Sequence, residues 1–366
     1  MNRIRAEIFF LFQRKNKVCI LIFILMTFAL IVQKEMAYKN IRQSRMEDYQ
    51  AQTELIQSNI NFLLFEKESG EITQDQEALL SFWKQAYDLN YQVYCDWVNN
   101  EDLEIIAKDS LCFDELLEEA LKKQYPIASY TSLLNTNQRD LKDRIVLAKH
   151  SIKKKNYNYL IPEQPDGYGL IRHLFVPSNY MIVVFLLFIL FSNSDLWGKE
   201  FEHGMYKELF TAPISRIRLF MIRTGIVIGV NVFEYWIWLL IIFLVGTLLH
   251  GSGNGQLIMT ENGVIQINKF VWEGIGIQTV YILFFSVFIQ SVSWWIKDGI
   301  MVLMIGILCL MGIMIFSFSF TDIFSYVFCQ EILYKGNSCF WLLIVCSLFL
   351  SGLTGINVQK SDLRGE

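Results

Sequence analysis

The chain has 366 residues, of which 53% are hydrophobic and 15% aromatic, and a net charge of −4. That composition is too apolar for an ordinary water-soluble domain and reads as a multispanning membrane protein. The small net charge, without a long basic block, gives a nucleic-acid partner no electrostatic support.

Residues 1–17 hold five basic residues and an apolar face of Ile4, Ile8, Leu11 and Phe12, which fits an interfacial amphipathic helix. The apolar run 18–33 follows as the first span. No small-residue cleavage site comes after it, so it reads as an uncleaved span rather than a signal peptide. The basic N-terminus places that end in the cytoplasm.

Residues 34–177 are polar and charged, and long enough for a helical domain of their own. Met46, Tyr49, Ile56, Ile60 and Leu63 fall at helical intervals and continue the first span outward. Thr73 and Gln76 form a capping-box pattern. The helix it opens has an apolar side of Leu79, Phe82, Ala86, Leu89, Val93 and Trp97. A further helix is expected through Phe113, Leu117 and Leu121, ending before Pro126, and another through Leu141, Ile145, Ala148 and Ile152. The stretch 157–169, with two prolines and two glycines, reads as a linker.

Five more apolar runs follow near 178–194, 219–249, 270–296, 299–319 and 339–357, each about long enough for a hydrocarbon core of roughly 30 Å. The distribution of basic residues in the connectors predicts six spans with both termini cytoplasmic. The domain at 34–177 then lies outside the cell, and the tail 358–366 inside. The fold expected is all-α: a bundle of six transmembrane helices with a helical extracellular domain between the first and second spans.

The connector after the second span is polar and charged. Leu196, Phe201, Met205, Leu209 and Phe210 recur at helical spacing over 195–211, Asp195 can cap the start, and Pro213 ends the helix. Among the apolar runs, Glu234 and Asn231 stand out, because a carboxylate at such depth faces a bundle interior or a watery path. Gln278 and Gln290 are candidate partners, so these four residues form either a translocation path or interhelical polar contacts. Cys95 could pair with Cys112 and Cys329 with Cys339, but spacing fixes neither disulfide. The segment 320–338 is apolar for an outer loop. No Walker A, H-E-x-x-H or G-x-S-x-G pattern occurs, the four histidines are scattered, and no C-x-x-C is present. No catalytic, cofactor or metal site is therefore expected in this chain.

The order of an amphipathic start, one span, an insertion, and a second span followed by E-F-E-H-G-M-Y-K-E-L-F-T-A-P-I-S-R resembles the permeases of type-2 ATP-binding-cassette exporters. The family's Gly-Thr pair stands here as Gly204–Met205. The resemblance implies a coupling helix gripped by a separate ABC ATPase, which would supply ATP and Mg chemistry. Glu200, Lys207 and Glu208 would form its charged rim and Phe201, Leu209 and Phe210 its apolar contact, with Gly204, Pro213 and Arg216 completing the motif. Lys297–Asp298 would be a second, smaller contact. It also implies a second permease subunit, identical or related, and short outer re-entrant helices at 320–338. The cargo would be amphipathic: a peptide such as a bacteriocin or toxin, a lipid-like molecule or a drug, exported or cleared for immunity. The alternative from the residues alone is a non-transporting receptor or scaffold that senses a ligand through 34–177.

Overall fold

A computed structural model describes residues 17–70, 72–123, 125, 138–161, 164–175, 181–197, 215–260, 263–319 and 338–360. These residues are mostly helical and fall into two compact units. One runs to Val32 and takes in Asp166–Ser252 and the chain from Lys269 onward; the other joins Gln33–Pro165 to Gly253–Asn268. We call them the apolar unit and the insert unit.

Helix α1 spans Lys17–Glu68, 52 residues, or about 78 Å at 1.5 Å per residue. That exceeds twice a hydrocarbon core, so a single helix carries the apolar run and continues into the polar insert, as its periodicity predicts. In the insert unit α2 (Gln74–Asn99) begins with the expected capping box: Thr73 N–H donates to Gln76 Oε1 at 2.7 Å, and Gln76 N–H donates to Thr73 Oγ1 at 3.4 Å. Helices α3 (Leu103–Lys122) and α4 (Gln138–Lys154) follow. Ile56 and Ile60 of α1, Trp83 and Ala86 of α2, Phe113 and Leu117 of α3, and Leu141 and Ile145 of α4 close one core. Each helix contributes one apolar stripe and leaves its charged side outward.

Two features depart from the sequence reading. The stretch expected as a linker is a 3-10 turn (Asn158–Leu160) and a helix, α5 (Gly167–Leu174), capped by Asp166 Oδ1, which accepts the Gly169 N–H at 2.7 Å. Gly167 serves packing: a Cβ on it would fall 2.8 Å from Phe243 Cε2, and a Cβ on Gly246 would stand 2.7 Å from the Asp166 carbonyl oxygen. The second is an antiparallel hairpin, β1 (Leu257–Thr260) and β2 (Gly263–Gln266), with Ile258 opposite Ile265. It belongs to the insert unit, where Asn156 Nδ2 donates to the Gly255 carbonyl at 2.6 Å. Among the described residues the fold is therefore helical with one small hairpin, and the insert is completed by a second chain segment.

The apolar unit contains the start of α1, then α5, α6 (Met181–Asn193), α7 (Arg216–His250), α8 (Ile267–Ile296), α9 (Gly299–Ser319) and α10 (Ser338–Lys360). Three helical stretches, Ile20–Glu68, Arg216–His250 and Ile267–Ile296, are long and apolar enough to cross a membrane by length and composition. Met181–Trp197, Gly299–Gly312 and Leu343–Gln359 are shorter apolar helices. The Gly167 and Tyr168 N–H groups donate to the Gly251 and Ser252 carbonyls at 3.0 and 3.1 Å, so α5 is tied to the end of α7. Phe23 of α1 lies 5.5 Å from Phe188 of α6 and 5.2 Å from Trp238 of α7, centroid to centroid, and Trp238 Nε1 donates to Thr27 Oγ1 at 3.1 Å. The first turns of α1 are thereby fixed to two neighbours.

Candidate functional site

The interior of the apolar unit is polar along one line. Asn193 Nδ2 of α6 donates to Asn231 Oδ1 of α7 at 3.2 Å, and Asn231 Nδ2 donates to Ser286 Oγ of α8 at 2.9 Å. The Ser286 hydroxyl in turn donates a hydrogen bond to the Ile282 carbonyl at 2.7 Å. One turn along α7, the Tyr235 hydroxyl donates to Gln278 Oε1 at 2.5 Å. All of these side chains are buried. In an apolar surrounding such bonds fix which helix faces meet, because a slipped register would strand the amides.

Asn231, Gln278 and Gln290 therefore serve as interhelical contacts. Their partners differ from those expected: Gln278 bonds Tyr235, and Gln290 Oε1 accepts from Trp197 Nε1 at 3.0 Å. Glu234 is half-buried beside Tyr235 in α7. The amide nitrogens of Gln278 and Gln290 find no acceptor among the described residues.

At the end of α6, where residues 198–214 leave, the aromatic rings gather. Trp197 lies 5.0 Å edge-on from Trp294 of α8 and 6.0 Å from Phe220 of α7, centroid to centroid, and Val358 of α10 completes the cluster. The Arg223 guanidinium sits 4.5 Å over the Trp197 ring, with the arginine itself buried. A desolvated cation on an indole face is held by the ring quadrupole. Ser293 Oγ donates to the Ser194 carbonyl at 3.2 Å, and the Asp195 carboxylate stands so close to Gly299 that a Cβ there would fall on it. The backbone turn between α8 and α9 is thus seated against the chain leaving α6. Lys297 turns with φ 59°, and Asp298 Oδ1 caps α9 by accepting the Ile300 N–H at 2.9 Å.

The chain matches no protein-family model, no curated protein and no solved structure. Glu200, Phe201, Gly204, Lys207, Glu208, Leu209, Phe210 and Pro213 lie outside the described residues, as do Cys329 and the segment 320–337. Arg216 is the first residue of α7. Asp195 belongs to the end of the apolar segment Met181–Trp197. Cys95 and Cys112 are free thiols, so that pairing is not made; Cys339 lies in α10. Sequence reasoning missed Asn193, Ser286, Trp197 and Trp294. A tryptophan directly after an apolar run was the available signal, since an indole N–H placed there needs a buried acceptor.

Proposed function

We propose that this chain is the permease subunit of an ABC exporter, working as a pair with an identical or related permease and driven by a separate ATPase gripping residues 195–211. The observation that carries the reading is the aromatic cluster that joins the start of that connector to the helix following it. Trp197, among its first residues, and Phe220, in the second turn of α7, stack on each other and share Trp294 and Val358. A force applied to the connector would reach α6, α7, α8 and α10 together through rigid contacts, which is what a lever needs. Asp195 against Gly299 would pass the same motion to α9.

The sidedness has support as well. The insert between the first and second apolar helices and the hairpin between α7 and α8 belong to one unit. Alternate crossing of six spans puts those two segments on one side, here the outside, and the 195–211 connector on the other. The cargo is an amphipathic molecule, a peptide foremost, and the protein resides in the cell membrane with both termini in the cytoplasm.

The test is co-purification in mild detergent with the ATPase encoded beside this chain, comparing wild type with a Glu200→Lys, Leu209→Asp double variant. Retention of the ATPase by wild type and its loss by at least about tenfold from a variant that stays monodisperse supports docking. Absence of the ATPase from wild type, or equal retention by both, removes the exporter reading and leaves a receptor or scaffold.

A further inference from the structure

The insert unit is more acidic than the rest of the chain. Residues 33–165 carry 22 aspartates and glutamates against 16 lysines and arginines, whereas the remaining residues carry 14 against 16. Along α3 most carboxylates are matched: Glu104 by Lys108, Glu115 by Lys149, Glu118 by Lys122 and Glu119 by Lys123. The unmatched ones gather at the seam between α2 and α3. Asp96 of α2 and Asp109 of α3 meet carboxyl to carboxyl, with Glu101 of the intervening turn close by. Asp88 is exposed two turns before Asp96 on α2. Among the described residues none of these four forms an ion pair, and Lys108, whose charge reaches Asp109, is held by Glu104 at 2.6 Å. Asp96 is buried; Gln92 Nε2 donates to its Oδ1 at 3.1 Å, and its Oδ2 has no donor. Burial first, and the Asp109 carboxyl second, push it up to about 6. It is therefore still charged at neutral pH and adds a negative field beneath Asp109 that no neighbouring cation cancels.

Apolar surface borders this charge. Tyr91 and Val98 of α2 are 47% and 51% exposed, and Ile105, in the first turn of α3, is 42% exposed. Tyr91 stacks on Tyr87 with ring centroids 5.9 Å apart and planes within 5°, and Tyr94 follows at 6.0 Å. Positions 87, 91, 94 and 98 keep the spacing of one helix face. That face is separate from the buried one made by Trp83, Ala86, Val93 and Trp97, so α2 has a core stripe and a second stripe turned outward. A stacked tyrosine ladder gives large contact area at low entropy cost, because each ring is already held by its neighbour.

We propose that the α2–α3 seam is a docking surface for a cationic amphipathic peptide, its lysines or arginines against Asp88, Glu101 and Asp109 and its apolar side on Tyr91, Val98 and Ile105. Charge complementarity selects this occupant. A second copy of the same face would bring like charges together, and an anionic lipid surface would be repelled in the same way. An amphipathic basic helix matches both halves of the surface. The inference rests on the exporter reading only in calling the peptide cargo, and there it narrows the cargo to cationic peptides.

The experiment is fluorescence anisotropy on the full chain in phosphatidylcholine nanodiscs, with empty nanodiscs as the baseline. The probe is a synthetic amphipathic helix of leucine and lysine, about 18 residues long and carrying a neutral dye, and its counterpart has glutamate at every lysine position. The lysine peptide is expected to bind at least about tenfold more tightly than the glutamate peptide and to weaken as salt is added. This comparison needs no variant, so it stands even where a substitution disturbs folding. The triple variant Asp88→Asn, Glu101→Gln, Asp109→Asn loses at least about tenfold in affinity, and Tyr91→Ser with Val98→Ser loses several-fold, while melting of the insert shows both to be folded. A control that removes exposed carboxylates elsewhere, Glu47→Gln, Glu54→Gln and Asp75→Asn, keeps at least about half of the affinity. No ATPase is present in this measurement, so peptide binding without a partner ATPase upholds the surface and gives it to the receptor reading. No binding above empty nanodiscs, equal binding of the two peptides, or equal losses in the triple variant and the control overturns the proposal. Peptide binding unchanged by both sets of substitutions, with a permease pair split by Tyr91→Ser and Val98→Ser, overturns it as well and assigns the face to a second copy.

Discussion

The two units solve the same packing problem with opposite surfaces. In the insert unit the helices bury Trp83, Phe113 and Leu141 and turn ion pairs outward, such as Lys108–Glu104, Lys123–Glu119 and Lys149–Glu115. In the apolar unit Phe28, Phe233, Leu240 and Leu248 are exposed, and the interior holds Asn193, Asn231, Ser286 and Gln278. One has a large apolar core with a few buried polar groups, such as Asn90 and Asp114, inside a shell of charge; the other has an apolar surface and hydrogen-bonding side chains inside. The difference follows from the solvent. In water, burying apolar area drives assembly. Among lipid tails that force is gone, and close packing with interhelical hydrogen bonds takes its place.

The largest effect expected from breaking this contrast is in the insert core. Trp83→Ala should cost about 3–5 kcal/mol, because it empties a fully buried site joined to all four helices. Chemical denaturation followed through the insert's helical signal should show it, with the apolar unit still inserted. Next comes Leu240→Arg on the outer surface of α7, where the leucine is 55% exposed. In lipid this change should cost about 2.5–3.5 kcal/mol and reduce membrane insertion. In water the same exposed change would fall within about 0.5 kcal/mol, so a neutral result would break the comparison.

A smaller effect sharpens the aqueous half. Burial, with the Asp109 carboxyl adding to it, raises the Asp96 carboxyl to about 6. A carboxyl less acidic in the folded domain than in the unfolded chain stabilises folding when protonated. That contribution is full below its unfolded value near 4 and is lost as pH rises through 6. Melting of the insert between pH 4 and 7 should therefore fall more steeply in wild type than in Asp96→Asn. The smallest change is in the polar line of the apolar unit. Asn231→Leu removes the link between Asn193 and Ser286 and should cost about 0.6–1.7 kcal/mol, the range of such bonds in membrane bundles. Asn231→Asp should be worse than Leu, since it adds a buried charge.

Much of this architecture was legible in the residues. The apolar runs, the Thr73–Gln76 cap and the stripe of Phe82, Ala86 and Val93 are local patterns, and local geometry reproduces them. What escaped depends on contacts distant in sequence. Gly167 looks like a linker residue until α7 presents Gly246 and Thr247 to the same spot. The hairpin had a local signal, Asn262–Gly263 between apolar residues, and Gly263 takes φ 105° opposite Thr260. Its weight was hidden by the long apolar runs on either side. Asn231 was visible as an oddity in a span, whereas its partners Asn193 and Ser286 are unremarkable residues until three helices meet. Asp96 and Asp109 look like surface charges on two helices, and only the fold sets them side by side.

The central claim is that the two surfaces meet two solvents, with the insert outside the cell and the 195–211 connector inside. Cys112 is a built-in reporter, an exposed free thiol in the insert. Partial burial and the nearby Asp109 and Glu115 carboxylates raise it above an ordinary thiol, so labelling is best done on the alkaline side of neutrality. Intact cells would be treated with a membrane-impermeant maleimide and the modified residue located by peptide mapping. The account predicts modification at Cys112 in intact cells, and modification of a Lys207→Cys variant in the Cys112→Ser background only after permeabilisation. Labelling of Cys112 only after permeabilisation, or of position 207 in intact cells, would contradict it.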